Sequence, residues 1–92
     1  MAQERKPSEE KAVLQREVRK FLDYWNESSE PFLNNVYGLY DLSKNSHSVF
    51  FLNDAEYSFE LDARLAKLEE DIRRLGIKAT VEQKLRTPIT SA

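Results

Sequence analysis

Apolar residues fall along this chain in two regular stripes with a crowded stretch between them. Leu14, Val18, Phe21 and Trp25 recur at steps of four, three and four, the spacing that places side chains on one face of a helix. Ser8 is a good N-cap, and Glu9 and Glu10 follow in the first turn, where the helix dipole favours negative charge. The pattern predicts a helix from roughly Ser8 to Asn26, with Gln15, Arg16, Glu17, Arg19, Lys20 and Asp23 on its solvated faces.

The second stripe is stronger. Leu61, Leu65, Leu68, Ile72 and Leu75 recur at four, three, four and three, a leucine-rich seam of the coiled-coil type. Glu60 and Arg64, Glu69 and Arg73, and Glu70 and Arg74 lie four apart with the acid first, each pair adding about 0.2–0.5 kcal/mol. Gly76 stops this helix in a left-handed conformation, and Ile77 is placed for the apolar contact that accompanies such a stop.

Between the stripes the pattern is less decisive. Ser29 as cap and Pro31 in the first turn predict a second helix carrying Phe32, Leu33, Val36, Tyr37, Leu39 and Tyr40 and reaching as far as Leu42. Gly38 weakens it by about 1 kcal/mol relative to alanine. Ser43 to Ser48 is a loop by composition. Val49 to Leu61 supports two assignments. One starts the long helix at Asn53 or Asp54. The other is a β-hairpin in which Tyr57, Phe59 and Leu61 alternate with Ser58, Glu60 and Asp62. Asn-Asp is a poorer hairpin turn than Asn-Gly, and Tyr57 and Leu61 run straight into the seam, so the helix is preferred. Near the end, Thr80-Val81-Glu82-Gln83 has capping-box spacing for a short helix to about Arg86. The alternation of Ile77, Ala79 and Val81 supports a strand instead. Pro88 ends either element.

These elements predict one all-α domain over residues 1–92: a small three-helix bundle or helical hairpin with a heptad-patterned third helix. Residues 1–7 and 87–92 are expected to be flexible tails. The alternative is an α+β arrangement with a β-hairpin at 49–61.

Composition narrows the function. A chain of 92 residues buries a modest share of its surface, so its stability margin is thin. It has no cysteine and one histidine, which removes disulfides, thiolate metal sites and an ordinary zinc site. Association with another surface is the support that remains. All ten aromatic residues lie between Phe21 and Phe59, leaving aliphatic flanks.

The net charge of −2 is spread with signs interspersed, so no global field draws the protein to nucleic acid or an anionic membrane. Residues 61–92 form the most basic third, with seven bases against five acids. Those acids are threaded through it and would lie near phosphates, and no second basic helix follows a short turn. A dimeric helical DNA-binding transcription regulator is therefore the second choice. The N-terminus carries charge where a signal peptide has its apolar core. The longest apolar run, Val49 to Leu52, is far too short to cross a bilayer. A cytoplasmic setting is expected, and the Asn26-Glu27-Ser28 sequon carries no weight there.

Candidate chemistry is sparse. His47 sits between Ser46 and Ser48 in a polar loop, where adjacent residues do not fix the geometry that nucleophilic catalysis needs; it is expected to be a surface histidine. Carboxylate-bridged metal sites on helices need a Glu-x-x-His element, and none exists. Gly38 and Gly76 are the only glycines, so no phosphate-cradling loop is present. No catalytic residue, cofactor or metal is expected.

The seams remain. If they pack only on each other inside one bundle, nothing is left over. The opposite expectation is that ninety-two residues cannot hide them all. The chain would then be a non-enzymatic protein–protein interaction module, an adaptor, assembly subunit or small inhibitor. It would self-associate as a homodimer through Leu61, Leu65, Leu68, Ile72 and Leu75, with Trp25, Tyr37 and Tyr40 as exposed aromatic anchors of the kind enriched at hot spots.

Overall fold

The first stripe forms α1, Pro7–Ser28, and the seam forms α2, Phe59–Arg74. Between them lie two strands, β1 (Val36–Asp41) and β2 (Ser46–Asn53), and β3 (Ala79–Leu85) follows α2. This computed structural model describes residues 6–85; of the tails expected at 1–7 and 87–92, residues 1–5 and 87–92 lie outside the described residues, whereas Lys6 caps α1 and Pro7 begins it. The expectation of an all-α helical bundle with a coiled-coil third helix is corrected by this topology. Over the described residues the fold is α+β, two helices with a three-stranded sheet in the order β1-β2-β3.

β1 and β2 form an antiparallel hairpin, with Val36 opposite Phe51 and Tyr40 opposite His47. β2 and β3 run parallel, which requires a crossover, and α2 supplies it. The alternative hairpin at 49–61 is also displaced. Val49 to Leu52 is strand, but it pairs with the preceding β1. Tyr57 to Leu61 instead carries the N-terminus of α2, where the Ser58 hydroxyl accepts the Leu61 N–H at 3.0 Å. That local cap outweighs five residues of alternation.

The predicted helix over residues 29–42 is absent, and its physical reason lies in the side chains. Val36, Tyr37 and Tyr40 are β-branched or aromatic and pack well on a pleated surface. The stretch before β1 is pinned to α1 by polar side chains. The Trp25 indole donates to the Pro31 carbonyl at 2.7 Å, and the Asn26 amide bonds both the N–H and C=O of Leu33, at 2.8 and 2.6 Å. With its backbone groups taken by Asn26, Leu33 needs no helical turn to satisfy them, and its side chain is buried. The loop predicted at 43–48 shrinks to the hairpin turn, in which Asn45 adopts a φ of 52°. There the Asp41 carboxylate accepts from the Ser43 hydroxyl at 2.6 Å and from its N–H at 2.9 Å, which holds the Asp41 carboxyl below the ordinary aspartate range.

Strand periodicity then sorts the sheet into two faces. His47, Val49, Phe51 and Asn53 of β2 and Ala79, Val81 and Gln83 of β3 are buried on the inner face. Leu14, Phe21 and Trp25 of α1 and Leu61, Leu65, Leu68 and Ile72 of α2 meet them there, with Leu33 and Ile77 completing one core. Gly76 has the expected positive φ, 89°, and Ile77 is buried behind it.

Candidate functional site

The two free edges of the sheet are treated differently. In β3 the parallel ladder turns the backbone groups of Ala79 and Val81 away from β2, because His47 N–H bonds the neighbouring Lys78 carbonyl at 3.0 Å. α2 takes up one backbone group of each. Glu69 Oε1 accepts the Val81 N–H at 2.8 Å, and Arg73 Nε donates to the Ala79 carbonyl at 2.8 Å. Glu69 and Arg73 also form the predicted ion pair, at 3.7 Å. Side chains placed over an edge in this way obstruct the pairing of another strand.

β1 carries no such cover among the described residues. Leu52 N–H donates to the Asn35 carbonyl at 2.9 Å. In an antiparallel ladder this sets the alternation: Tyr37 and Leu39 bond back to β2, and the N–H and C=O groups of Val36, Gly38 and Tyr40 point to the open side. No proline or inward charge interrupts this edge.

A groove runs beside it, between α1 and β1, with a volume of about 630 Å³. Its existence follows from widths. Helices pack about 8–10 Å apart and strands about 4.8 Å apart, so two helices cover about four strands, and this chain supplies three. The rings of Phe21, Trp25 and Phe51 meet between α1 and β2, Phe21 edge-on to Phe51 at 5.4 Å. They hold the backbone of α1 more than 8 Å from those of β1 and β2. Leu14, Val18 and Leu22 form the helical wall, and Gly38, lacking a side chain, leaves the floor open.

Charge along the groove is mostly positive, the Glu10 carboxylate at one end being taken up by His47. Lys11 and Arg19 stand on its rim, and no carboxylate is among its lining residues. At one end His47, expected as a surface residue, is buried and donates from Nε2 to Glu10 Oε1 at 3.0 Å. Its ring lies 4.6 Å from that of Tyr40. Among the described residues no hydroxyl is hydrogen-bonded to His47, and no group of three or more His, Cys, Asp or Glu side chains is gathered for a metal ion. The arrangement orients a wall of the groove; it presents no activated nucleophile.

The opposite face of β1 is apolar as well. Tyr37 and Leu39 are exposed, at 39% and 61%, beside half-buried Phe50 and Leu52 of β2. The Tyr37 and Phe50 rings lie 5.2 Å apart, and Lys84 Nζ sits 5.6 Å from the Phe50 centroid.

The structure scatters the anchors named from sequence. Leu61, Leu65, Leu68 and Ile72 are buried in the core of a single subunit, so they offer no seam to a partner; Leu75, at the helix end, is exposed. Trp25 is fully enclosed. Tyr37 and Tyr40 come together on β1, one on each face, and the Tyr40 hydroxyl donates to Asn45 at 3.1 Å. The residues that build the groove, Leu14, Val18, Leu22, Val36 and Gly38, were missed as a site. The one sequence signal was that Leu14 and Val18 share a stripe with Lys11 and Arg19 on its flank.

Among the described residues, no helix is long and apolar enough to cross a membrane. No protein-family model, curated protein or solved structure matches the chain.

Proposed function

We propose that this chain is a non-enzymatic protein-interaction module that docks another protein along β1 and the groove beneath α1. The observation that carries this is the asymmetry of the sheet edges: α2 lays Glu69 and Arg73 over the edge of β3 and bonds it twice, while among the described residues β1 stays bare beside a wall of Leu14, Val18 and Leu22. An open strand edge with apolar surface on both sides invites pairing with other chains, and natural proteins blunt such edges unless they are used. The chain's lack of cysteine fits a reducing, cytoplasmic setting.

Gly38→Val tests the proposal without disturbing the fold. The new Cβ meets only the Ser48 carbonyl oxygen, 3.4 Å away, and the rest of the side chain fills the groove floor. A β-branched residue replaces a glycine in a strand, so the urea midpoint is expected to stay or to rise, by about 0.5–1 kcal/mol of stability. A photo-crosslinking residue at Leu39, in cells that make the protein, is expected to give a discrete protein adduct, and Gly38→Val is expected to abolish it. Adducts from the same probe at Glu70, on the exposed side of α2, with none from Leu39, would place docking elsewhere.

A further inference from the structure

We infer that the occupant of the β1 edge is an extended segment of a partner protein, apolar at alternate positions and bearing acidic side chains, which adds as a fourth strand of the sheet. This rests on β1 being the docking surface and names what docks there.

Backbone, width and charge point the same way. Val36, Gly38 and Tyr40 present their N–H and C=O groups outward in one row, and only another extended backbone satisfies such a row. One added strand widens the sheet to about 19 Å, matching the roughly 20 Å that two helices cover. Every second side chain of that strand would lie beneath α1, against Leu14, Val18 and Leu22. The rim cations Lys11 and Arg19, with no carboxylate lining the groove, select for acids in the segment.

A second copy of this chain fits less well. Joining two β1 edges gives six strands, about 29 Å wide, under four helices that need about 40 Å, so the two α1 helices would contend for the same space. It would also bring Lys11 and Arg19 of both copies together. An amphipathic small molecule would fill the groove but leave the outward backbone groups of β1 unpaired.

The probe is an acetylated, amidated peptide of alternating valine and glutamate, seven residues long, titrated into the full-length ¹⁵N-labelled chain, with a valine–lysine peptide beside it. Binding is expected to slow hydrogen exchange at the Val36, Gly38 and Tyr40 amides about tenfold or more. The lysine peptide is expected to bind about five- to tenfold more weakly, the size of effect two exposed charges give. Gly38→Pro removes one outward N–H, a change tolerated at an open edge, and is expected to weaken binding about tenfold. Peptide binding with unchanged exchange at the three amides would overturn strand addition while leaving docking along β1 intact. No binding of either peptide, with Leu39 crosslinks persisting, would overturn the extended segment in favour of a folded partner surface. Exchange at the three amides that slows with protein concentration alone would overturn it in favour of a second copy.

Discussion

Trp25→Ala is expected to leave the domain largely unfolded at room temperature. Trp25 is fully enclosed, stacked on Phe21 at 6.0 Å, with Phe21 in turn edge-on to Phe51 at 5.4 Å. These three rings join α1 to the sheet. Truncating a buried tryptophan to alanine costs about 3–5 kcal/mol through lost transfer energy and the cavity left behind. The indole also donates to the Pro31 carbonyl at 2.7 Å, and an acceptor left unpaired adds roughly 1–3 kcal/mol. A domain of this size has about 5–14 kcal/mol in all, so the loss removes most of it. Far-UV circular dichroism through a urea titration measures the change. A midpoint within about 0.5 kcal/mol of wild type, the range of surface substitutions, would restore Trp25 as an exposed anchor and contradict the core described here.

The second large effect is expected from Gln83→Leu, at about 2–4 kcal/mol. Gln83 is buried on β3 and closes the βαβ unit through its side-chain amide. Its Oε1 accepts from Asn53 Nδ2 at 2.9 Å and from the Ser58 N–H at 3.2 Å, and its Nε2 donates to the Ser58 carbonyl at 2.8 Å. Asn53 ends β2 and Ser58 caps α2, so one side chain ties three elements together. Among the described residues, no buried side-chain polar atom lacks a partner. Leucine preserves the bulk but strands one Asn53 donor and the Ser58 N–H, while the Ser58 carbonyl keeps the Asp62 N–H at 3.0 Å; stranded groups cost more than the bonds themselves contribute. A double-mutant cycle with Asn53→Ala separates this network from packing, and a coupling above about 0.5 kcal/mol is expected. Strict additivity would show that the three elements are held by apolar contacts alone.

How much of this was legible follows from what each residue faces. The Leu61 to Ile72 stripe was read as a helix because a helix shows the same period whether it packs on a sheet or on another helix. For that reason the stripe could not tell core from coiled coil. α1 was legible on the same grounds. Its start was less so: the helix begins at Pro7, one residue before the expected Ser8 cap, because proline is suited to the first helical position.

β1 was misread because it lacks the contrast that reveals a strand. Val36 and Tyr40 face the groove, and Tyr37 and Leu39 the other side, so apolar residues occupy both faces and the sequence never alternates with polar ones. The same residues fall at helical spacings by accident. This loss of contrast is itself a consequence of the bare edge. β2 was hidden differently: His47 and Asn53 lie on its buried face, and their polarity masks the period. Each is satisfied by a distant partner, Glu10 and Gln83, that no local pattern reveals. β3 alternates cleanly, Ala79, Val81 and Gln83 inward against Thr80, Glu82 and Lys84 outward, and there the competing capping-box spacing proved uninformative.

The open edge also gives the exposed aromatic rings a physical setting. Tyr37 borders the edge on one face, and Tyr40 helps to line the groove on the other. The seam leucines, by contrast, are consumed by the fold.

Amide hydrogen exchange across Val36 to Tyr40 in the free protein tests both the strand and its bare side at once. The slow amides are expected to be Tyr37 and Leu39, which bond to β2, with Val36, Gly38 and Tyr40 exchanging near the rate of an unprotected peptide. Protection rising evenly along all five residues would mean a helix or a covered edge, and the docking surface described here would not exist.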